Sequence, residues 1–288
     1  MYVVAGVTGN TGSVAADTLL AAGKRVTVIV RSAEKGESWR SKGAKAAVSS
    51  LDDTAKMIEI LKGADGAYLL IPPNPEVANY MENRRRLAEA MAEAVRESKV
   101  PHVVLMSSAG GQLASGTGLI LVNHIGEEAM KRAERNLTIL RPGSFAENWQ
   151  PVLMAAKANG VLPTFHSPQH KLNMIGAEDV GRFAAEALLN PASGRRILNL
   201  AGPQEYSPED IAGILASLLD REVRVVNPPL SAAVPTFMKL GFSQDAAKLL
   251  EEMYIAANSG KLEFEKEGAE FRRGTTTPRD VFQKLLKN

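Results

Sequence analysis

The opening "YVVAGVTGNTGSVAADTLLAAG" sets Gly6, Gly9 and Gly12 at every third position, between a strand-like run and a helical one. Glycine reaches backbone angles closed to other residues and lets a backbone come close to its neighbour. A helix that starts at such a turn points its free N–H groups and its positive dipole end into the turn. Strand, glycine turn, helix therefore predicts a cradle for the pyrophosphate of a dinucleotide. Thr8, Asn10 and Thr11 stand where they can add hydrogen bonds. A tight turn with no ligand is the plain alternative.

The chain beyond the turn supports a sheet behind it. The runs "RVTVIV", "AKAAVSS", "GAYLLI", "HVVLMSS" and "LTILR" read as strands, and they alternate with helical stretches. The helices expected are Thr11 to Ala22, "DDTAKMIEILKG" with Asp52 or Asp53 as cap, Pro75 to Glu97, and Thr117 to Glu134. Strand–helix alternation with near-continuously apolar strands argues a parallel sheet covered on both faces. Past Pro142 the pattern loosens. "SFAENWQPVLMAAKANG" reads as helix, "VLPTFHSPQHKLN" as loop, "GAEDVGRFAAEALLN" as helix and "RRILNLAG" as strand. Ser207, Pro208 and Asp210 open a further helix as cap, first residue and first-turn acid. "REVRVVNPP" is a short strand, and the remainder reads as helical through "PRDVFQKLL".

Bulk properties exclude several classes. Lys and Arg total 34 against 32 Asp and Glu, without the basic excess of a nucleic-acid binder. There is no cysteine, which rules out disulfides, thiolate metal sites and a cysteine nucleophile. That usage and the absence of a signal peptide suit the cytoplasm. No apolar run is long enough for a bilayer, so no membrane partner is expected. His166 and His170 lie four apart but lack a third ligand, so no metal is expected. The run "NRRRL" at 83–87 reads as a solvated helix face, and no G-x-S-x-G turn suggests a hydrolase.

The G-x-x-G-x-x-G spacing, with "VTVIVRS", "SSLDD", "GADGAYLLIPP", "HVVLMSSAGG", "LTILRPGSFAENW" and "LNLAGPQEYSPEDIAGIL", resembles the short-chain dehydrogenase/reductase superfamily. The nearest resemblance is to its atypical NmrA-like branch, which includes NAD(P)H:quinone reductase-like proteins. It implies an α/β fold: a Rossmann-type doubly wound parallel sheet with a smaller, mostly helical C-terminal substrate domain. The expected division is 1–143 for dinucleotide binding and 144–288 for substrate or partner, with residues 176–201 packing back onto the first part. The resemblance places Leu51 and Asp52 at the adenine. It sets Ile71, Pro72 and Pro73 along the ribose and nicotinamide, with Pro142 and Phe145 bracketing the nicotinamide from the opposite side. Prolines that merely break a strand, and aspartates that merely cap a helix, explain those residues as well.

The second strand ends at Arg31, where NAD sites usually carry an acid for the ribose hydroxyls. Arg31, with Ser32 and Lys35 in reach, would instead pair with a 2′-phosphate, so NADP (as NADPH) is favoured over NAD. Surface charge is the alternative for both cations.

Ordinary members of the superfamily reduce carbonyls with Tyr-x-x-x-Lys, the tyrosine giving the proton. None of Tyr2, Tyr68, Tyr80, Tyr206 and Tyr254 has lysine four residues on. The helix in question reads "LVNHIGEEAMK". Ser107 holds the family's serine position, where strand-end hydrogen bonding competes with catalysis, and His124 is the candidate to protonate or orient an acceptor. A quinone needs less help, because hydride gives a stabilised phenolate-like anion. Trp149, Phe165 and Phe145 are candidate walls of an apolar pocket. The leading expectation is an NADPH-dependent reductase of a small-molecule, quinone-like acceptor. The alternative is a non-catalytic NADP(H)-binding redox sensor with a regulatory protein partner. A weaker third reading takes an imine or activated alkene as acceptor.

Overall fold

The computed structural model describes residues 1–287. Its first half alternates β1 (Tyr2–Val4), α1 (Asn10–Ala21), β2 (Val26–Val30), α2 (Ala33–Ser41), β3 (Lys45–Val48), α3 (Thr54–Leu61), β4 (Gly66–Leu70), α4 (Tyr80–Ser98), β5 (Val103–Met106), α5 (Leu121–Ala133) and β6 (Leu137–Pro142). The second half runs β7 (Ser144–Phe145), α6 (Gln150–Asn159), β8 (Val161–Pro163), β9 (Leu172–Ile175), α7 (Ala177–Leu189), β10 (Arg195–Ala201), β11 (Glu205–Tyr206), α8 (Pro208–Leu219), β12 (Arg224–Val226), α9 (Ala233–Lys239), α10 (Gln244–Asn258), β13 (Glu270–Arg273) and α11 (Pro278–Lys287).

Eight strands form one parallel sheet in the order β13-β10-β6-β5-β4-β1-β2-β3. This is a Rossmann-type doubly wound fold. The order reverses at β1, which pairs with both β2 and β4, and the crevice beyond the carboxyl ends of those strands is where such sheets bind ligands. All five residues of β2 are buried, as expected of a strand covered on both faces. One core lies between the sheet and α1, α2 and α7, around Leu19, Val28, Trp39 and Leu188. The other lies under α3, α4 and α5, around Met57, Leu61, Met91, Val95 and Met130. A third gathers Trp149, from the turn before α6, with Leu153, Ile211, Leu215 and Phe282 from α6, α8 and α11. The capping box expected at α8 is present, with Ser207 and Asp210 bonded reciprocally.

Four sequence expectations need correction. The helix expected from Pro75 begins at Tyr80, because Asn79 takes a left-handed conformation at φ 52° and the Tyr80 N–H is capped by Asp245 of α10. The loop expected over residues 161–173 contains β8 and the start of β9, which pair with β12 and β11. Ser144 and Phe145, expected as helix, form β7 beside β9. The last helical stretch is interrupted by β13, an edge strand of the main sheet made of the polar "EFRR".

Candidate functional site

The three glycines of the first turn have different physical reasons. Gly6 sits at φ +69°, in the left-handed region. A Cβ on Gly12 would come 2.5 Å from the backbone of Ala5 and Gly6, so α1 leaves β1 at a distance only glycine permits. Gly9 is the N-cap of α1, with ordinary extended angles and no side chain closing the helix end. The nearest atom to a Cβ there is the Gly6 carbonyl oxygen at 3.4 Å. The first N–H groups of α1 thus meet an open space beside exposed Thr8, Gly9 and Asn10. An anion is the natural complement of such an end. Thr11 differs from its neighbours. Its hydroxyl is buried against the Tyr68 hydroxyl at 2.9 Å, which leaves only its backbone N–H for a ligand.

Arg31 follows β2 directly and is exposed, as is Lys35. Neither forms an ion pair among the described residues, whereas Arg40 is engaged by Glu37. Ser32 is spent on capping α2, its hydroxyl accepting from the Lys35 N–H. Asp53, not Asp52, caps α3. Asp52 stays exposed and takes a hydrogen bond from Ser50, beside half-buried Leu51. These groups suit a dinucleotide, whose pyrophosphate the free amides could hold and whose far ribose phosphate the free cations could pair.

The segment Ile71–Pro73 leaves β4 at the same edge, and a residue read as solvated holds it. Arg84 is only 6% exposed and donates through Nη1 to the Pro72 carbonyl at 2.7 Å. Burial draws its pKa down, with Tyr80 and Asp52 opposing. Of the "NRRRL" run, Arg85 and Arg86 face solvent and Arg84 faces inward. Its place in α4, on the face of Leu87, Ala88 and Met91, was the available signal.

Beneath the expected nicotinamide end lies a charged network that the sequence did not disclose. Ser107 donates to Glu127 Oε1 at 2.6 Å. Arg141 grips the same carboxylate through Nε at 2.8 Å and Nη2 at 2.6 Å, and reaches Glu265 through Nη1 at 2.5 Å. Lys131, four residues beyond Glu127 on α5, approaches it at 3.4 Å. The helix that by resemblance should carry Tyr-x-x-x-Lys therefore carries Glu-x-x-x-Lys. Burial works against a charged Glu127, but Arg141, Ser107 and Lys131 outweigh it and hold the carboxyl below the usual 4.5. Ser107 is 4% exposed, and Gly111 covers it so closely that a Cβ there would lie 2.5 Å from its Oγ. With its proton committed to Glu127, Ser107 has only lone pairs left to offer.

His124 tethers the same covering loop from α5. Its Nδ1 lies 3.1 Å from the Gly111 carbonyl oxygen. A carbonyl can only accept, so Nδ1 carries the proton and Nε2 is the lone-pair nitrogen of the neutral ring. Only the imidazolium could then give a proton through Nε2. Pro142 is buried at the end of β6, and half-buried Phe145 packs against the sheet core. A cleft of about 410 Å³ opens on the flank between α1, α7 and α11 and reaches the start of α1 at Asn10. Its Glu178 is paired to Arg182 and Lys284, and it includes none of Ile71, Ser107, His124 or Pro142. The glycine turn and the strand ends, rather than that cleft, mark the candidate site. Among the described residues no cluster of His, Cys, Asp and Glu could hold a metal ion, and no helix is long and apolar enough to cross a membrane.

The chain belongs to the NmrA-like family, whose sequence profile matches residues 2–270. It is 26% identical over 261 residues to an NAD(P)H azoreductase of Xenophilus azovorans, covering 89% of this chain and 87% of that one. Its fold is that of the NADPH-dependent quinone oxidoreductase of Escherichia coli in complex with NADPH, at TM-score 0.83, 20% identity and coverage of 99% and 100%. It is equally that of the triphenylmethane reductase of a Citrobacter species in complex with NADP(H), at TM-score 0.82, 18% identity and coverage of 99% of both chains.

Proposed function

From its place in the NmrA-like family and the open, uncapped start of α1, we propose that this protein is an NAD(P)H-dependent reductase that prefers NADPH and reduces a flat, quinone-like acceptor. The carrying observation is that cradle: exposed Thr8, Gly9 and Asn10 around unpaired helix amides, with Arg31 and Lys35 exposed beyond it. The azoreductase and quinone oxidoreductase to which the chain is similar support the reductase class.

Residues 6–12 would hold the pyrophosphate, and Arg31 and Lys35 the 2′-phosphate. Leu51 and Asp52 would border the adenine, and Ile71–Pro73, Pro142 and Phe145 the nicotinamide end. Bound NADPH would supply a hydride, so that quinone, NADPH and a proton balance to hydroquinone and NADP⁺. The chain's own part is chiefly positional. Arg84 fixes Pro72, and the Arg141–Glu127–Ser107 network fixes the floor and the loop above it. Rigid placement of two flat reactants can supply much of a barrier reduction without a strong acid. The hydroquinone anion takes its proton from water or from His124 when that ring is charged.

The test is NADPH oxidation by purified protein with and without a small quinone, with NADH run alongside. Quinone-dependent turnover well above the uncatalysed rate is expected, faster with NADPH. Tight NADPH binding with no turnover on quinones or azo dyes would overturn it. That result would fit a protein reporting the dinucleotide's redox state to a regulatory partner.

A further inference from the structure

Six ring side chains, Trp149, Phe165, His166, Phe237, Phe242 and Tyr254, gather on one side of the second half. They come from the turn after β7, the loop after β8, α9, the turn that follows it, and α10. The ring of His166 meets Tyr254 edge-on at 4.8 Å and Trp149 at 6.4 Å. Phe165 lies 5.5 Å from Tyr254, and Phe237 stacks nearly parallel to Tyr254 at 6.1 Å. Trp149 and Phe165 are buried walls, while His166, Phe237 and Tyr254 are only half-buried. Phe165, Phe237 and Tyr254 belong to none of the hydrophobic cores around them.

The polar ends of this patch lack partners. His166 Nδ1 is buried with no hydrogen bond. The Tyr254 phenol is raised to about 12 by burial alone, with no hydrogen bond to offset it. Burial, with the His170 charge second, draws His166 down to about 4, so the ring is neutral and can both give and take a hydrogen bond. A buried unpartnered nitrogen such as His166 Nδ1 is costly, and a ligand that pairs with it relieves that cost. The patch also belongs to elements that adjoin those of the candidate site. α10 packs so tightly on the turn Gly118–Ile120, which leads into the His124 helix, that a Cβ on Gly118 would lie 1.9 Å from the Leu249 carbonyl oxygen. Trp149 follows Phe145 by four residues in the same segment.

We propose that this patch is the acceptor platform, on which Tyr254 and Phe237 stack a planar aromatic molecule while His166 and the Tyr254 hydroxyl hydrogen-bond a ring oxygen or nitrogen. The assignment rests on the reductase reading above and narrows it to flat acceptors bearing such an atom. Quinones and azo compounds both qualify, and open-chain carbonyls do not.

The test begins with binding, free of turnover. In a Trp39→Phe background, Trp149 fluorescence is followed during titration with 2-naphthol, a planar probe that accepts no hydride, and then with naphthalene. Tyr254→Ala should weaken both about tenfold, the scale of one lost aromatic contact. Tyr254→Phe and His166→Phe should weaken 2-naphthol several-fold and spare naphthalene, because they keep the rings and remove the polar atoms. The KM for 1,4-naphthoquinone should rise in parallel, with NADPH affinity and thermal midpoint unchanged in the Phe variants. Unchanged probe binding and unchanged quinone KM in all three variants overturn the platform, even if quinone turnover is robust. Probe binding that follows the predicted pattern without any quinone turnover would sink the reductase reading while the planar-ligand site stands.

Discussion

Arg141 and Glu127 meet as a two-point ion pair beneath Ser107, with 1% and 0% of their side chains exposed. Burying two charges is costly, and the pair stands because each oxygen and most guanidinium nitrogens are bonded. Removing one partner strands the other. Arg141→Met should therefore destabilise the protein by about 3–5 kcal/mol, read from denaturant midpoints. The double variant Arg141→Met with Glu127→Leu should recover much of that loss. Because Glu127 is held below its usual pKa, it stabilises the fold at neutral pH. That contribution fades as pH falls below about 4.5 through the depressed value. Additive losses in the double variant would show that the two side chains do not act as a pair.

Gly12 and Gly9 separate packing from binding. Gly12→Ala forces a Cβ against backbone at 2.5 Å and should cost roughly 1–3 kcal/mol, along with dinucleotide affinity. Gly9→Ala enters a conformation alanine adopts freely but makes a poorer helix cap, so stability should change by no more than about 1 kcal/mol. It should still weaken NADPH binding, because the methyl group fills the mouth of the cradle. Paired thermal melts and binding titrations check both. Gly9→Ala with full NADPH affinity would place the dinucleotide elsewhere.

Arg31 has no ion pair among the described residues, so changing it should leave stability within about 0.5 kcal/mol. Arg31→Asp should nonetheless cost NADPH at least about tenfold in affinity, the loss of a charge-assisted phosphate contact, while NADH is held. The ratio of the two dissociation constants is the readout. An equal loss for both dinucleotides would mean that Arg31 does not meet a 2′-phosphate.

What could be read from the chain, and what could not, divides by the range of the contacts. The first six main-sheet strands and the glycine turn are local patterns: apolar runs, a spacing, a helix start. β13 escaped because "EFRR" is an edge strand whose only sheet neighbour, β10, lies some seventy residues earlier. The start of α4 escaped because its cap, Asp245, comes from another helix 165 residues away. Glu127 looked like one more acid in a polar helix, and only the buried Arg141 on the next strand makes it a keystone. Arg84 was hidden in a run of three arginines, two of which do face water. In each case the missing information was a tertiary partner, which single-residue propensities do not encode.

His102 links stability to pH on its own. It is 2% exposed at the start of β5, with Nε2 3.1 Å from the Thr138 hydroxyl and Nδ1 unpartnered. Burial first, and the Arg196 charge second, lower it from 6.5 to about 4. The folded protein therefore holds His102 neutral while the unfolded chain takes up a proton below 6.5. Stability should fall as pH drops from 6.5 to 4 and level off below, by roughly 3 kcal/mol from this group. In His102→Gln that segment of the stability–pH curve should flatten. A slope identical in both proteins would move the effect to another residue.

His124 can act in two ways, as a tether through Nδ1 or as an acid through Nε2, and substitution can separate them. His124→Asn keeps a donor able to reach the Gly111 carbonyl and removes the titrating group, whereas His124→Ala removes both. If the ring protonates the reduced acceptor, both variants lose about 10²-fold in kcat. If His124 only holds the loop, Asn retains nearly full kcat. Ala then shows a raised acceptor KM, because the loop over Ser107 loses its anchor. The geometry favours the tether: Nδ1 is already committed, and an anion as stable as a hydroquinone can be protonated by water. The expected result is therefore near-wild-type kcat for Asn and a KM effect for Ala. A large kcat loss in Asn would make His124 the proton donor instead.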